Sequence, residues 1–310
     1  MSLMRGVLLA GAKSEWLRRQ ATRRRFVRRA VSRFMPSETL DDAIGAAASL
    51  KTQGMTTILT HLGENIADEA EADRVTRHYL GILDRVEAEG LDAEASVKLT
   101  QIGLDLGREL ATANLRRLAE KAAARGKRLW VDMEDSSYTD ATLDVFREVF
   151  KNHRGLCIAL QAYLYRTRED MEDLISRGAG VRLVKGAYME PSTAAYPAKK
   201  DVDESFFKLG QRLLSKEARE RGVWTVLGTH DPVLIQRLID HAAASGAGKE
   251  SFEFDLLYGI RREEQARLIR DGFKVRVLVS YGAYWFPWYM RRLAERPANL
   301  MFVARNMFRG

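Results

Sequence analysis

Residues 224–243, WTVLGTHDPVLIQRLIDHAA, decide how the chain is read. WTVLGTH is a short apolar run of strand character that ends on polar residues. Asp231 then offers an N-cap, and Pro232 suits the first helical position, where its missing N–H costs nothing. Val233, Leu234, Leu238 and Ile239 continue at helical spacing. A strand handed directly to a helix is one βα unit.

Working outward, the same pattern recurs. Strand runs are expected at TTILTHLG (56–63), EASVKLTQIG (94–103), RLWVDME (128–134), LCIALQAY (156–163), VRLVKGAY (181–188), SFEFDLLYG (251–259) and VRVLVSYG (275–282). Helical stretches separate them. Phe206, Leu209 and Leu213 share one helix face, and Thr167 with Asp170 resembles a capping box ahead of 171–177. Strand then helix, repeated eight times over about 250 residues, predicts an α/β protein of the (β/α)8 TIM-barrel type. A doubly wound sheet would carry a G-x-G-x-x-G turn after its first strand, and the sequence has none. Pro36 and SETLDDA (37–43) close an N-terminal helical arm. We therefore divide the chain into an arm, 1–50, and a barrel, 51–310, with no low-complexity linker or repeat inside the barrel.

Composition narrows the class. The 310 residues include 46% hydrophobic ones, ample for a buried core, and one cysteine, Cys157, which cannot form an internal disulfide and is read as core. No apolar run approaches the roughly 18 residues that span a bilayer, and the first residues make a poor signal peptide. A cytoplasmic protein is expected. The net charge of +8 is local: LRRQATRRRFVRRAVSRFM (17–35) holds eight arginines and no acid, and without those eight the chain has 42 basic and 42 acidic residues. Apolar residues run through this segment at helical spacing, so it reads as a basic amphipathic helix. It could pack on the main domain, contact an anionic membrane surface at about 1 kcal/mol per basic residue, or bind nucleic acid. No nucleic-acid recognition motif accompanies it, and no nucleic-acid partner is expected.

A barrel places its chemistry at the carboxyl ends of its strands. Those ends supply Glu64, Lys98 with Gln101, Asp132 with Glu134, Gln161, Arg182, Lys185 with Tyr188, Thr229 with His230, and Glu253 with Asp255. Arg291 and Arg292 follow the last strand. Taken singly, any of these is a solvated loop charge or a rim ion pair. Together they put many cations at one barrel mouth, and paired guanidiniums match a carboxylate bidentately. The histidines are dispersed, so no metal site is expected. Lys98 or Lys185 could also serve as the Schiff-base nucleophile of a class I aldolase-like lyase.

The runs WVDMEDS (130–136), QAYLYR (161–166), VRLVKGAYMEP (181–191), GTHD (228–231), FEFDLLYG (252–259) and RRLAERPANL (291–300) resemble the monofunctional bacterial proline dehydrogenases, whose catalytic domain also occurs in the bifunctional proline utilisation proteins. The resemblance extends from about residue 50 to 310. It implies a distorted (β/α)8 barrel holding FAD at its strand ends. It also implies hydride transfer from C5 of L-proline to flavin N5, giving Δ1-pyrroline-5-carboxylate, with a quinone taking the electrons. By the same resemblance, Lys98, Arg291 and Arg292 grip the substrate carboxylate. Asp132 pairs with the second of these arginines, Arg182 stands near N5, and Tyr188 lines the proline pocket. Met133, Gln161, Lys185, Gly186, Ala187, Thr229, His230 and Glu295 match flavin contacts, and Glu64 resembles an acidic gate. Such an anchored carboxylate would hold the donor carbon about 3–3.5 Å from its acceptor. Two positions depart from the pattern. Leu278 stands where a tyrosine packs on the substrate ring, which opens selectivity toward 4-hydroxyproline or another cyclic imino acid. Asp255 stands where a glutamine is frequent. With a quinone as acceptor, the 17–35 arm would hold the enzyme peripherally on the inner face of the membrane.

Overall fold

A computed structural model describes residues 31, 33–63, 66–286, 289 and 290. All eight expected strands form: β1 (Thr56–His61), β2 (Ala93–Lys98), β3 (Leu129–Asp132), β4 (Leu156–Gln161), β5 (Gly180–Val184), β6 (Thr225–Gly228), β7 (Phe252–Leu257) and β8 (Lys274–Tyr281). They are parallel and consecutive, and β8 closes on β1 with Ile58 opposite Leu278 and Thr60 opposite Ser280. The fold is the expected (β/α)8 barrel.

Helix α1 (Leu40–Thr52) precedes β1, and α2 (Glu69–Ala88), α3 (Arg108–Ala124), α4 (Thr139–Phe150) and α5 (Thr167–Ser176) follow the first four strands. Helices α6 (Lys199–Leu213) and α7 (Lys216–Glu220) follow β5, α8 (Pro232–Ala244) follows β6, and α9 (Arg262–Arg270) follows β7. Asp231 caps α8 as expected, accepting from the Val233 N–H at 3.1 Å with Pro232 at the first position. The capping box expected at Thr167 does not form. Thr167 is already helical, and its hydroxyl donates to the Gln161 carbonyl at 2.5 Å, while Asp170 takes both ends of the Arg166 fork at 2.8 and 3.0 Å. Helix α1 runs across the expected division at residue 50, and its Ala43, Ile44, Ala47 and Leu50 belong to the main core.

The strands alternate as a barrel requires. Phe254, Leu256, Val275, Val277 and Val279 face outward into the core shared with the helices. Ile58, Trp130, Cys157 and Val226 meet inside the barrel, with Trp224 and Leu278 against them. Cys157 is therefore core, as read from the sequence, and burial pushes its thiol pKa up. Toward the amino ends of the strands the interior is charged. Arg276 bonds both oxygens of Glu253 at 2.6 and 3.0 Å and lies 3.3 Å from Glu94, while Trp130 Nε1 donates to Glu94 at 2.6 Å. Glu253, expected at the mouth, is thus committed to the barrel floor.

The end of the basic arm packs on the barrel. Val31 and Met35 bury against Leu62, Trp285, Phe286 and Tyr289, with Phe34 alongside. Gly259 (φ +73°) admits this contact, because a Cβ there would fall on the Arg33 carbonyl. Residues 17–30, with seven of the eight arginines, lie outside the described residues.

Removing one member of the Arg276 network strands buried charge. Arg276→Met should lower unfolding free energy by about 3–5 kcal/mol, read from denaturant midpoints. Adding Glu253→Leu and Glu94→Gln, which keeps an acceptor for Trp130, should recover part of that loss.

Candidate active site

A cavity of about 1170 Å³ opens at the carboxyl ends of the strands. Alternation along each strand selects its walls. The last residues of β2, β3 and β4 (Lys98, Asp132 and Gln161) line it, with Arg182 and Val184 of β5, Asp255 and Leu257 of β7, and Leu278 and Ser280 of β8. Met133, Lys185, Gly186, Ala187, Tyr188, Thr229 and His230 come from the loops that leave the strands. Among the described residues, those that the family resemblance assigns to substrate or flavin all line this one cavity, whereas Gln101, Glu134 and Glu253, also expected at the strand ends, do not. Glu64, Arg291, Arg292 and Glu295 lie outside the described residues, as does any pairing of Asp132 with Arg292.

Arg182 is the buried cation of this site, 3% exposed. Its Nη2 pairs with Asp132 Oδ1, which also accepts from the Ser96 hydroxyl at 2.7 Å, and Nη1 lies 3.6 Å from Asp255 Oδ2. Nε and Nη1 have no hydrogen-bond partner among the described residues. Two donors on a buried guanidinium that lines a cavity suit a polar ligand atom. Asp255 lines the cavity. Burial pushes its carboxyl up to about 7 even though Arg182 and Arg276 pull the other way.

The rim beside β5 and β6 is an alternating ion cluster. Lys185 Nζ contacts Asp203 at 2.5 Å and Asp231 at 3.3 Å, and Lys199 bonds Asp203 and lies 3.4 Å from Asp231. Burial would raise the Asp231 carboxyl, but Lys185 and Lys199 hold it below its ordinary value. Asp231 therefore caps α8 and clamps the rim lysines at once. A Schiff-base lyase needs a lysine Nζ that can reach a substrate carbonyl, whereas Lys185 Nζ is engaged by two carboxylates. Lys98 and Lys185 are half-buried and sit at or just beyond their strand ends rather than within them.

Gly186 (φ +113°) follows this lysine, and a Cβ there would meet the Tyr163 ring at 2.4 Å, so glycine lets the β5 loop close over that ring. Glu190 then ties the loop to the β3 exit, accepting from the Ser136 N–H at 2.8 Å and from its hydroxyl, with Tyr163 Oη at 3.4 Å. His230 Nε2 accepts from the Leu257 N–H at 3.3 Å.

Other strand-end residues have structural roles. Gln101 donates to the carbonyls of His61 and Gly63 at 2.8 and 2.9 Å, fixing the β1 exit. Glu134, its carboxyl raised by burial, accepts from Thr100 Oγ1 at 2.8 Å. His61 packs against His78 and Tyr281 outside the cavity, and burial, with His78 beside it, lowers its pKa to about 4. Ser96, Asp203, Asp231 and Glu190 were not singled out in sequence as site residues. Ser96 was legible in principle, two residues before Lys98 on the same strand face; the others reach the site through loops or a helix.

The sequence profile of the proline dehydrogenase family matches residues 43–305. Proline dehydrogenase 1 of Bacillus subtilis subsp. natto is 37% identical over 280 residues, covering 89% of this chain and 90% of that one. Proline dehydrogenase 2 of the same organism is 33% identical over 307 residues, 99% of each chain, and the proline dehydrogenase of Deinococcus radiodurans is 36% identical over 285 residues, 90% of each. Among solved structures, proline utilization A from Bdellovibrio bacteriovorus superposes with a TM-score of 0.79 at 24% identity, over 86% of this chain and 32% of that one. Proline utilization A from Corynebacterium freiburgense gives 0.74 at 21%, over 98% and 34%. The chain spans about a third of these solved chains, and at this identity the likeness concerns the fold. Given the profile match and three relatives above 30% identity along nearly the whole chain, the protein belongs to the proline dehydrogenase family.

Proposed function

We propose that this protein oxidises L-proline, or a closely related cyclic imino acid, to Δ1-pyrroline-5-carboxylate with FAD as cofactor, the first step of proline catabolism. The observation that carries the reading is the buried Arg182, with donors that have no partner among the described residues, facing a cavity at the barrel mouth. The residues present suit a flavin dinucleotide. The volume exceeds the roughly 300–1,000 Å³ of ordinary small-ligand sites, as a dinucleotide together with a small acid requires. Gly186 lets the β5 loop close over the Tyr163 ring at the cavity wall, and Gln161, Lys185, Thr229 and His230 supply polar groups beside Met133 and Ala187. When bound, FAD supplies the two-electron acceptor that no side chain can provide.

The chain's own residues bind and orient. Lys98, with Arg291 and Arg292, would grip the substrate carboxylate, and Glu64 would face the first arginine. Tyr188 and Leu278 would close on the ring. The substrate amine gives its proton to water before oxidation. Arg182, held by Asp132 and Ser96, presents preorganised positive charge to the negative charge that develops in the cavity. Glu295 would contribute a further flavin contact. A membrane quinone would take the electrons, with the 17–35 arm giving peripheral contact at the inner face. No helix among the described residues is long and apolar enough to cross a membrane.

The direct test is anaerobic. Purified protein should show flavin absorbance that L-proline bleaches; failure of every cyclic amino acid in a panel to bleach it would overturn the reading. A substrate adduct on Lys185 or Lys98 trapped by borohydride would favour the lyase instead.

Leu278→Tyr should raise the ratio of kcat/KM for L-proline over trans-4-hydroxy-L-proline about five- to tenfold, the worth of an aromatic face at ~1 kcal/mol. An unchanged ratio would remove Leu278 from substrate selection. Changing Arg18, Arg19, Arg23, Arg24 and Arg25 to Gln should weaken binding to anionic vesicles at low salt, while activity with a soluble dye acceptor is retained. These changes spare Val31 and Met35, which the barrel packing uses.

A further inference from the structure

Asp255 has no part in the scheme above. Its neighbours Phe254 and Leu256 face the outer core, so its own side chain points into the barrel, where it is buried and lines the cavity. Charged groups face it from four strands. Arg182 comes from β5, Asp132 from β3, Arg276 from β8, and Glu253 from its own strand, β7. Arg276 is engaged by Glu253 and Glu94. Among the described residues, that leaves Arg182 as the nearby guanidinium with capacity for Asp255, and Asp132 already shares it. Oδ1 of Asp255 has no hydrogen-bond partner among the described residues.

The barrel interior thus holds four carboxyl groups (Glu94, Glu253, Asp132 and Asp255) around two buried guanidiniums, Arg182 and Arg276. Of these four, Asp255 has the weakest compensation. It approaches its cation at 3.6 Å without a hydrogen bond, whereas Glu253 is bonded bidentately. A buried carboxyl in that position gains most by carrying a proton.

We propose that Asp255 is a positioning residue that acts through Arg182 as a proton-coupled charge compensator. Ionised, it holds part of the Arg182 charge. As negative charge develops in the cavity, the guanidinium is drawn toward that charge. Asp255 then takes one proton from solvent onto a carboxylate oxygen, and no other bond forms or breaks at it. The two electrons come from the substrate. The inference rests on the flavin reading above. The raised carboxyl, at about 7, puts this proton uptake within the working range of pH. A glutamine here could not take the proton.

The test is the midpoint potential of the flavin-loaded protein from about pH 5 to 9, a range that spans the Asp255 carboxyl but not the ordinary lysines. Near pH 7 the wild-type slope should be steeper than that of Asp255→Asn by one proton per two electrons. That is about 30 mV for each tenfold change in proton concentration. The two curves should converge at low pH, where Asp255 is protonated in the wild type. Above neutrality the variant should be the more positive, having lost a negative charge beside Arg182. A purely structural role would shift the curve without changing its slope. Infrared difference spectra of the wild type, oxidised against reduced, should gain a protonated-carboxyl band that is absent in Asp255→Gln, so the idea stays testable if Asp255→Asn loses flavin. Parallel potential curves and no such band, in a protein whose flavin L-proline still bleaches, would overturn the role of Asp255 and leave the oxidation reading intact. A protein that binds no flavin would overturn both.

Discussion

A guanidinium inside a barrel is tolerated only when carboxylates accompany it, because the charge has left water. Arg182 meets that condition through groups on three other strands: Asp132 from β3, Ser96 from β2 and Asp255 from β7. The contacts exist because the strands hold register around a closed circuit, Lys98 opposite Asp132 and Ala159 opposite Arg182. A slip of one residue on β5 would turn Arg182 into the outer apolar core and bring an aliphatic neighbour to the cavity. The cation and the register specify one another.

The barrel interior is built in storeys. Charges at the floor, around Arg276, are bonded to one another and do not line the cavity. An apolar cluster of Ile58, Trp130, Cys157 and Val226 packs among the interior charges. Among the described residues, the upper charges, around Arg182, are bonded incompletely, and they face the opening. Complete pairing supports stability and incomplete pairing supports binding. Asp255 stands between the two sets, close enough to feel both arginines. The rim cluster of Lys185, Lys199, Asp203 and Asp231 differs again, since it is partly exposed and its attractions are screened by solvent.

Much of this was legible in the chain. Short apolar runs of strand character alternating with helical stretches announced eight strands, and all eight formed. Asp231-Pro232 announced a helix start, since both residues act through backbone chemistry that is local. Thr167 misled for a related reason: its hydroxyl found the Gln161 carbonyl, a partner outside the capping box. Glu253 and Asp255 were read together as mouth residues, although they are two apart on one face. The strand rise alone places one at the floor with Arg276 and the other at the cavity.

By itself, then, the sequence determined the strand and helix order, the barrel class, the family, and which residue types stand at the strand ends. These follow from periodicity, capping and local motif, all short-range. Tertiary structure decided the partnerships. It gave Asp132 to Arg182, Gln101 to the β1 exit, Asp231 to two lysines, and Asp255 to the cavity wall. Those outcomes depend on which side chains meet across strands and loops far apart in the chain. Burial then weights them, because only in a low-dielectric interior does one unpaired donor or one uncompensated carboxyl acquire chemical consequence.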